Sequence, residues 1–116
     1  MSKYDKMEDY IISLFNVFKN TNNLANKNND KRLKIICLVL YNYTRYMAKE
    51  YNINLRENLE LNNSINLIPI FEYISINNIE LYDFNKITFN DVDVTKKEDL
   101  ERYVLTYVYY LTQNSV

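Results

Sequence analysis

Four stretches of the chain carry apolar residues at helical spacing, and breaks containing Asn or Asp separate them. In residues 4–19 the apolar positions recur every three or four residues, which predicts an amphipathic helix. Asp5, Glu8 and Asp9 place carboxylates in its first turns, where the helix dipole favours negative charge. The Asn-rich tract 20–29 follows. Because Asn side chains compete for backbone hydrogen bonds, we expect a loop there.

The second stretch, 31–51, predicts the longest helix, with Asp30 as its N-cap. Residues 33–40 are apolar on nearly every side, a pattern typical of a helix that other elements cover on several faces. We therefore expect Ile36 and Leu40 to lie in the core. The second half of this helix, residues 42–50, is amphipathic and more polar, so we expect it to extend beyond the core.

Residues 52–63 show only weak alternation and are interpreted as an irregular connector. Asn63 or Ser64 is the expected cap of a third helix, with Pro69 in its first two turns, where a missing N–H costs least. Asn77 and Asn78 mark its end. The expected buried stripe of this helix consists of Leu67, Ile70, Phe71 and Ile74, with Ile76 at its end as a further candidate.

Residues 79–95 allow two interpretations, a short β-hairpin around Asn85-Lys86 or an extended loop. The loop is favoured because Glu80 would face Asp91 across the hairpin, and like charges opposite each other destabilise a strand pair. Thr95-Lys-Lys-Glu98 fits a capping box and predicts the start of a final helix. The pattern thus predicts a mainly α, compact four-helix single domain over residues 1–116, with a long irregular segment or short β-hairpin near residues 79–95.

Composition removes several kinds of chemistry. The chain has no His and no Gly, and one Cys, which excludes His-based catalysis, glycine-rich phosphate loops and Cys-cluster zinc sites. Cys37 lies in an apolar run and is interpreted as a packing residue. Asp91 and Asp93 could offer oxygen ligands to a hard cation, but the glycine that calcium loops use is missing, which favours a solvated turn. We predict a protein that is not an enzyme and needs no metal or cofactor.

Charge and hydropathy bear on location and partners. Fourteen basic and fifteen acidic residues leave a net charge of −1, which disfavours general nucleic-acid binding. The basic cluster of Lys27, Lys31, Arg32 and Lys34 keeps a small nucleic-acid-binding regulator as an alternative. The N-terminus lacks an apolar signal region, and the longest apolar run, residues 35–41, is too short to span a membrane. The prediction is an intracellular, cytoplasmic protein with no membrane partner.

Tyrosines supply the candidate binding residues, since the chain has twelve. Not all of them fit on inward-facing stripes: Tyr43 and Tyr46 are three residues apart on one helix, and Tyr109 and Tyr110 are adjacent on another. Tyr offers a large contact area with few rotatable bonds, which favours interfaces. Residues with AT-rich codons make up more than half of the chain, so codon bias stays open as the alternative reason for exposed Tyr. The predicted partner-binding residues are Tyr43, Tyr46, Tyr109, Tyr110, Asp91 and Asp93.

Four strings in the second half carry a family resemblance: Ile70-Phe-Glu-Tyr-Ile74, Asn78-Ile79-Glu80-Leu81, Asn90-Asp91-Val92-Asp93-Val94 and Val104-Leu-Thr106-Tyr107-Val108. Together they resemble the second half of a calponin-homology domain. The Trp, the Asp-Gly step and the glycine typical of that family are absent. The resemblance implies binding to a protein filament without catalysis, and it transfers no individual filament-contacting residue.

The function hypothesis is a small non-catalytic protein that binds another protein and occludes or bridges a macromolecular partner. A phage or other mobile element acting against a host protein is the favoured context, on general grounds of size and composition. The alternatives are a calponin-homology-like cytoskeletal filament-binding module and the small nucleic-acid-binding regulator.

Overall fold

α-Helices form most of the described chain, and they agree with the predicted fold class. The computed structural model describes residues 6–55 and 66–114. Its elements are α1 (Met7–Asn28), α2 (Lys31–Glu50), α3 (Ile68–Ile76), a 3₁₀ turn (Phe89–Asp91) and α4 (Lys97–Asn114). Neither described range contains a β-strand, so the hairpin alternative for residues 79–95 is wrong and the loop is confirmed. The prediction of a mainly α four-helix single domain is confirmed.

Helix α1 is longer than its sequence pattern predicts. It continues through the Asn-rich tract to Asn28, so the expected loop at 20–29 is wrong. Thr21 and Ala25 are buried in this part of the helix, and Thr21 Oγ1 shares a hydrogen bond of 2.8 Å with the Tyr107 hydroxyl of α4. Packing against α4 therefore stabilises a helix that the local preference of Asn opposes.

Helix α2 begins as predicted, because the Asp30 side chain accepts a hydrogen bond from the Leu33 backbone N–H at 3.1 Å. Ile36 and Leu40 are in the core, which confirms their prediction. Two other expectations for α2 are wrong. Its first half is not covered on every side, since Ile35 and Leu38 are exposed, and its second half does not extend beyond the core. The buried residues of that second half are Tyr43, Thr44, Met47 and Ala48.

Helix α3 begins later than predicted. Leu67 is its N-cap, and Asn66 Oδ1 accepts a hydrogen bond from the Ile68 N–H, so the cap expected at Asn63 or Ser64 is wrong. Those two residues, and the connector predicted over 52–63 beyond residue 55, lie outside the described residues. Pro69 stands in the first turn and the helix ends before Asn77, as the pattern predicts.

The start of α4 also differs from the prediction. Thr95 does not cap this helix, which begins at Lys97; its hydroxyl donates instead to Asp93 Oδ1 at 2.6 Å. The carboxylate of Asp99 accepts from the Asp93 N–H and fastens the preceding turn to the helix. The local backbone path determines whether a Thr hydroxyl accepts from the helix N–H groups as a cap or donates within the preceding turn, and sequence spacing does not specify that path.

A single apolar core joins the four helices. The chain link of two residues makes α1 and α2 an antiparallel pair, α4 packs on α2, and α3 packs on α1. Four tyrosines, Tyr10, Tyr43, Tyr103 and Tyr107, are among the largest fully buried side chains. No helix of the described ranges is both long and apolar enough to cross a bilayer.

Candidate functional site

A buried network joins three tyrosines to one carboxylate. The Tyr43 and Tyr73 hydroxyls donate to Glu101 Oε2 at 2.5 and 2.7 Å, and the Tyr10 and Tyr43 hydroxyls are 2.9 Å apart. The Tyr10 and Tyr73 rings stack with centroids 3.9 Å apart. Burial raises the pKa of both Tyr43 and Tyr73, with the neighbouring carboxylate of Glu101 adding to the effect. These phenols therefore stay protonated at neutral pH and act as structural donors.

Tyr43 was predicted to contact a partner, and the structure corrects this. Its side chain is 1% exposed and its hydroxyl is occupied within the network. The i, i+3 spacing with Tyr46 suggests a common face, but the buried side of α2 includes Tyr43 and leaves Tyr46 outside. A pair at this spacing is separated by about 60° around the helix, which is enough to place one residue in the core and the other in solvent.

A surface cleft of about 420 Å³ lies between the loop at 82–85 and the C-terminal half of α4. Its lining residues share aromatic or hydrogen-bonding side chains: Tyr82, Asp83, Phe84, Asn85, Thr106, Tyr109, Tyr110 and Gln113. We refer to this as the tyrosine cleft. Tyr109 is 46% exposed and Tyr110 is half-buried, so both predicted residues of α4 contribute to one surface.

Hydrogen bonds fasten the loop wall of the tyrosine cleft to α4. The Tyr82 N–H donates to Thr106 Oγ1 at 3.0 Å, and that hydroxyl donates to the Arg102 carbonyl at 2.6 Å. Arg102 Nε donates to the Glu80 carbonyl at 2.7 Å, while its guanidinium lies 3.9 Å from the centroid of the Tyr82 ring. The position of Tyr82 is therefore set before any partner binds.

Phe84 anchors the floor of the tyrosine cleft. Its ring lies 4.2 Å from that of Tyr110, and the Arg32 guanidinium lies 4.0 Å from its centroid. Arg32 Nη2 also donates to the carbonyls of Phe84 and Ile87 at 2.6 and 3.2 Å. Arg32, a member of the predicted basic cluster, thus holds the loop in place.

Tyr46 lies apart from the tyrosine cleft. It is 52% exposed, and its ring is 5.8 Å from the Lys97 ammonium at the start of α4. Twelve residues of helix separate Lys97 from Tyr109, which corresponds to about 18 Å along the axis. Tyr46 and Tyr109 therefore belong to two different surfaces.

The acidic turn uses its carboxylates internally. Asp91 Oδ2 accepts from the Thr88 N–H and hydroxyl, and Asp93 Oδ1 accepts from the N–H and hydroxyl of Thr95. The hydrogen bonds from Thr95 lower the pKa of Asp93. Within the described ranges no cluster of three or more potential metal ligands is present. The geometry of Asp91 and Asp93 is that of turn-stabilising side chains at the surface.

Cys37 is buried, and burial raises the pKa of its thiol. A thiol acts as a nucleophile as the thiolate, which this environment disfavours. Its position between α1 and α2 is consistent with the packing role predicted from the sequence.

Comparisons of the chain with protein-family models, curated proteins and solved structures give no match. The resemblance to calponin-homology domains stays a prediction. The sequence strings behind this resemblance contain several buried residues, including Ile70, Val92, Val104 and Tyr107. In this chain those strings therefore contribute to packing of the core.

Charge segregation is a feature that the net charge hides. Residues 10–49, which include most of α1 and α2, contain seven basic residues and a single acidic one, Asp30. The rest of the chain contains seven basic and fourteen acidic residues. Counting charge by segment would have shown this from the sequence. The positions of Tyr82 and Phe84 beside Tyr109, in contrast, depend on a contact between distant parts of the chain and carry no local signal.

Proposed function

We propose that the protein is a non-catalytic binding domain that docks a segment of a partner protein in the tyrosine cleft. The observation that carries this proposal is the convergence of Tyr82, Tyr109 and Tyr110 on one cleft with fixed walls. Tyrosine rings give large contact areas at low entropic cost, and a preformed wall reduces the ordering needed on binding. The side chains of Asp83, Asn85 and Gln113 add hydrogen-bonding groups that suit a polypeptide backbone.

Occlusion of a partner is the mode of action that this proposal favours. Two polar groups elsewhere in the described chain are engaged internally: the network phenols are protonated donors, and the acidic turn binds its own backbone. A small inhibitor of this kind, carried by a phage or mobile element against a host protein, would work by covering a surface of its target.

The test uses two exposed tyrosines that lie on different surfaces. Peptides selected on the wild-type protein from a random display library are synthesised, and their affinities are measured by fluorescence anisotropy. Tyr109→Ala should weaken binding by about 30-fold, the equivalent of about 2 kcal/mol for a hot-spot residue. Tyr46→Ala, the matched control, should bind like the wild type.

Circular dichroism should stay unchanged in both variants and the melting temperature should change little, because both side chains are about half exposed. Equal binding by Tyr109→Ala and wild type, or selection of no peptide at all, would overturn the proposal.

A further inference from the structure

A second concave surface lies between α1 and α2, beside the core contacts of these two helices. It has a volume of about 310 Å³ and is lined by Phe18, Asn22, Lys34, Cys37, Leu38 and Tyr41. We refer to this surface, which is formed by the antiparallel helix pair α1 and α2, as the hairpin groove. It shares no lining residue with the tyrosine cleft, and it is formed by helices whose relative positions the core fixes.

The hairpin groove has an apolar centre. Leu38 is 59% exposed at the middle of the outward face of α2, and Ile35, one turn earlier, is 40% exposed. The ring of Phe18 on α1 lies between the buried ring of Phe15 on the same helix and the ring of Tyr41 on α2, with centroid separations of 6.0 and 5.2 Å. Apolar side chains that are exposed together in a depression favour a partner that also presents apolar groups.

The rim of the hairpin groove is basic. The Lys19 ammonium lies 5.3 Å from the Phe15 centroid, and the Arg45 guanidinium lies 5.4 Å from that of Tyr41. Lys34 lines the groove itself, and its ammonium donates only to the neutral side chain of Asn29. Salt bridges found among the described residues involve neither Lys34 nor Arg45.

Carboxylates are missing from both walls. Along α1 the last acidic residue is Asp9, and along α2 the first is Glu50, which leaves Asp30 between the helices. The Asp30 carboxylate is used to cap α2. Within the described residues, Lys34 and Arg45 therefore place positive charge beside the apolar centre of the groove without a salt-bridge partner.

We propose that the hairpin groove docks an acidic amphipathic segment of a partner protein. Its apolar side chains would contact Phe18, Leu38 and Tyr41, while its carboxylates would meet Lys34 and Arg45. Nucleic-acid binding is less well matched, because phosphate contacts require cations where Phe18 and Leu38 lie. A lipid surface is also less well matched, since the apolar groups line a depression instead of a protruding face.

This inference goes beyond the tyrosine cleft, because the two surfaces use different helices. Occupation of both would let one copy of the protein hold two polypeptide segments together. The variants for the two surfaces are separate, since Tyr109 does not line the hairpin groove. A selected peptide whose affinity depends on Leu38 and not on Tyr109 is bound in the groove.

The probe is a labelled synthetic peptide of alternating Glu and Leu clusters at helical spacing, and its binding to the full-length protein is measured by fluorescence anisotropy. A scrambled peptide of the same composition, a short DNA duplex and vesicles of phosphatidylcholine with phosphatidylserine are measured in parallel. We expect saturable binding of the amphipathic peptide, weaker binding of the scrambled one, and a loss of affinity as salt increases.

Two variants separate the apolar and the charged contributions. Leu38→Gln and Lys34→Glu should each weaken peptide binding about tenfold or more. Ile76→Gln and Lys86→Glu change an exposed apolar and an exposed basic residue outside the groove, and both should bind like the wild type. All four positions are exposed, so folding is expected to be retained and is checked by circular dichroism.

Several results would overturn the proposal. Equal binding of the scrambled peptide would mean that charge alone attracts the probe. Insensitivity to Leu38→Gln would remove the groove from the interaction. Binding of the DNA duplex or the vesicles with the same dependence on Leu38 and Lys34, in the absence of peptide binding, would assign the surface to those partners. Self-association that buries Leu38, seen by sedimentation, would make the occupant a second copy.

Discussion

Leu38 and Leu40 are two positions apart on α2 and have opposite environments. Leu40 is fully buried, whereas Leu38 is the most exposed residue of the apolar run. Hydrophobicity alone predicts that both side chains are buried, because they belong to one run of apolar residues. The difference arises because α1 and α4 cover only part of the circumference of α2, and nothing within the described residues covers the remainder.

Leu40→Ala should lower the free energy of unfolding by about 2–5 kcal/mol, since it removes a buried side chain and leaves a cavity. Leu38→Ala should change it by less than about 0.5 kcal/mol, because this side chain is already in solvent. Urea denaturation followed by circular dichroism measures both. Similar losses for the two variants would contradict the packing described for α2.

The tyrosine network provides a second test at the residue scale. Tyr43→Phe keeps the ring but removes the hydroxyl that joins Tyr10 to Glu101, so it should destabilise the fold by about 1–3 kcal/mol. Tyr46→Phe removes an exposed hydroxyl and should have almost no effect. A neutral outcome for Tyr43→Phe in the same denaturation assay would show that the network contributes little to stability.

At the scale of helices, the chain ends three of them without glycine. Asn29, Asn52 and Asn78 follow α1, α2 and α3, and each has a positive φ, between 50° and 57°. After each one, the next N–H bonds to a carbonyl five residues earlier: Asp30 to Ala25, Ile53 to Ala48, and Ile79 to Ile74. This is the Schellman arrangement, in which Asn is the usual substitute for Gly. Some of the many Asn residues therefore have a structural role that codon bias does not explain.

Asn52 has a left-handed conformation, so substitution by Gly and substitution by Ala should change the stability in different directions. Asn52→Gly should stabilise the protein or leave it unchanged, because Gly has no Cβ to clash at positive φ. Asn52→Ala should destabilise it by about 1 kcal/mol, because Ala keeps the Cβ but lacks the polar side chain with which Asn tolerates this conformation. At Asn42, an exposed position inside α2, the order should reverse, with Gly about 1 kcal/mol less stable than Ala. Thermal unfolding of the four variants measures this, and the same order at both positions would contradict the assigned helix end.

At the scale of the whole molecule, the tyrosine-rich core makes stability depend on alkaline pH. Burial raises the pKa of Tyr43, Tyr73 and Tyr103 above the ordinary value of 10.0, and it raises the pKa of Tyr107 to about 12. Below about pH 10 these phenols are protonated in both the folded and the unfolded chain, so their contribution to stability is fully present. Above that pH the tyrosines of the unfolded chain ionise first, and the free energy of unfolding falls until the pH reaches the raised pKa values of the folded protein.

The melting temperature should therefore be insensitive to pH near neutrality and fall steeply above about pH 10. Tyr107→Phe should make this fall less steep, because it removes one of the shifted groups. Differential scanning calorimetry across the alkaline range, with tyrosinate absorbance recorded in parallel, measures the dependence. A melting temperature that stays constant through this range would mean that the buried phenols ionise as easily as those in the unfolded chain.

The sequence alone determined the helical class, the number of helices, the Asp30 cap, the end of α3 and the core positions Ile36 and Leu40. These features depend on residues close together in the chain, through the 3.6-residue period and the hydrogen bonds of short polar side chains. The charge content of residues 10–49 was also available by counting. For Tyr46 and Tyr109, spacing correctly indicated positions outside the core.

Tertiary structure decided the rest, because each remaining feature depends on which distant residue becomes a neighbour. Contact with Tyr107 extends α1 through its Asn-rich tract, and Glu101 draws Tyr43 into the core. Arg32 and Arg102 place the loop at 82–85 against α4, which creates the tyrosine cleft. The hairpin groove exists because the helices that pack on α2 leave Leu38 uncovered. The local sequence does not specify which face of α2 the other helices will cover.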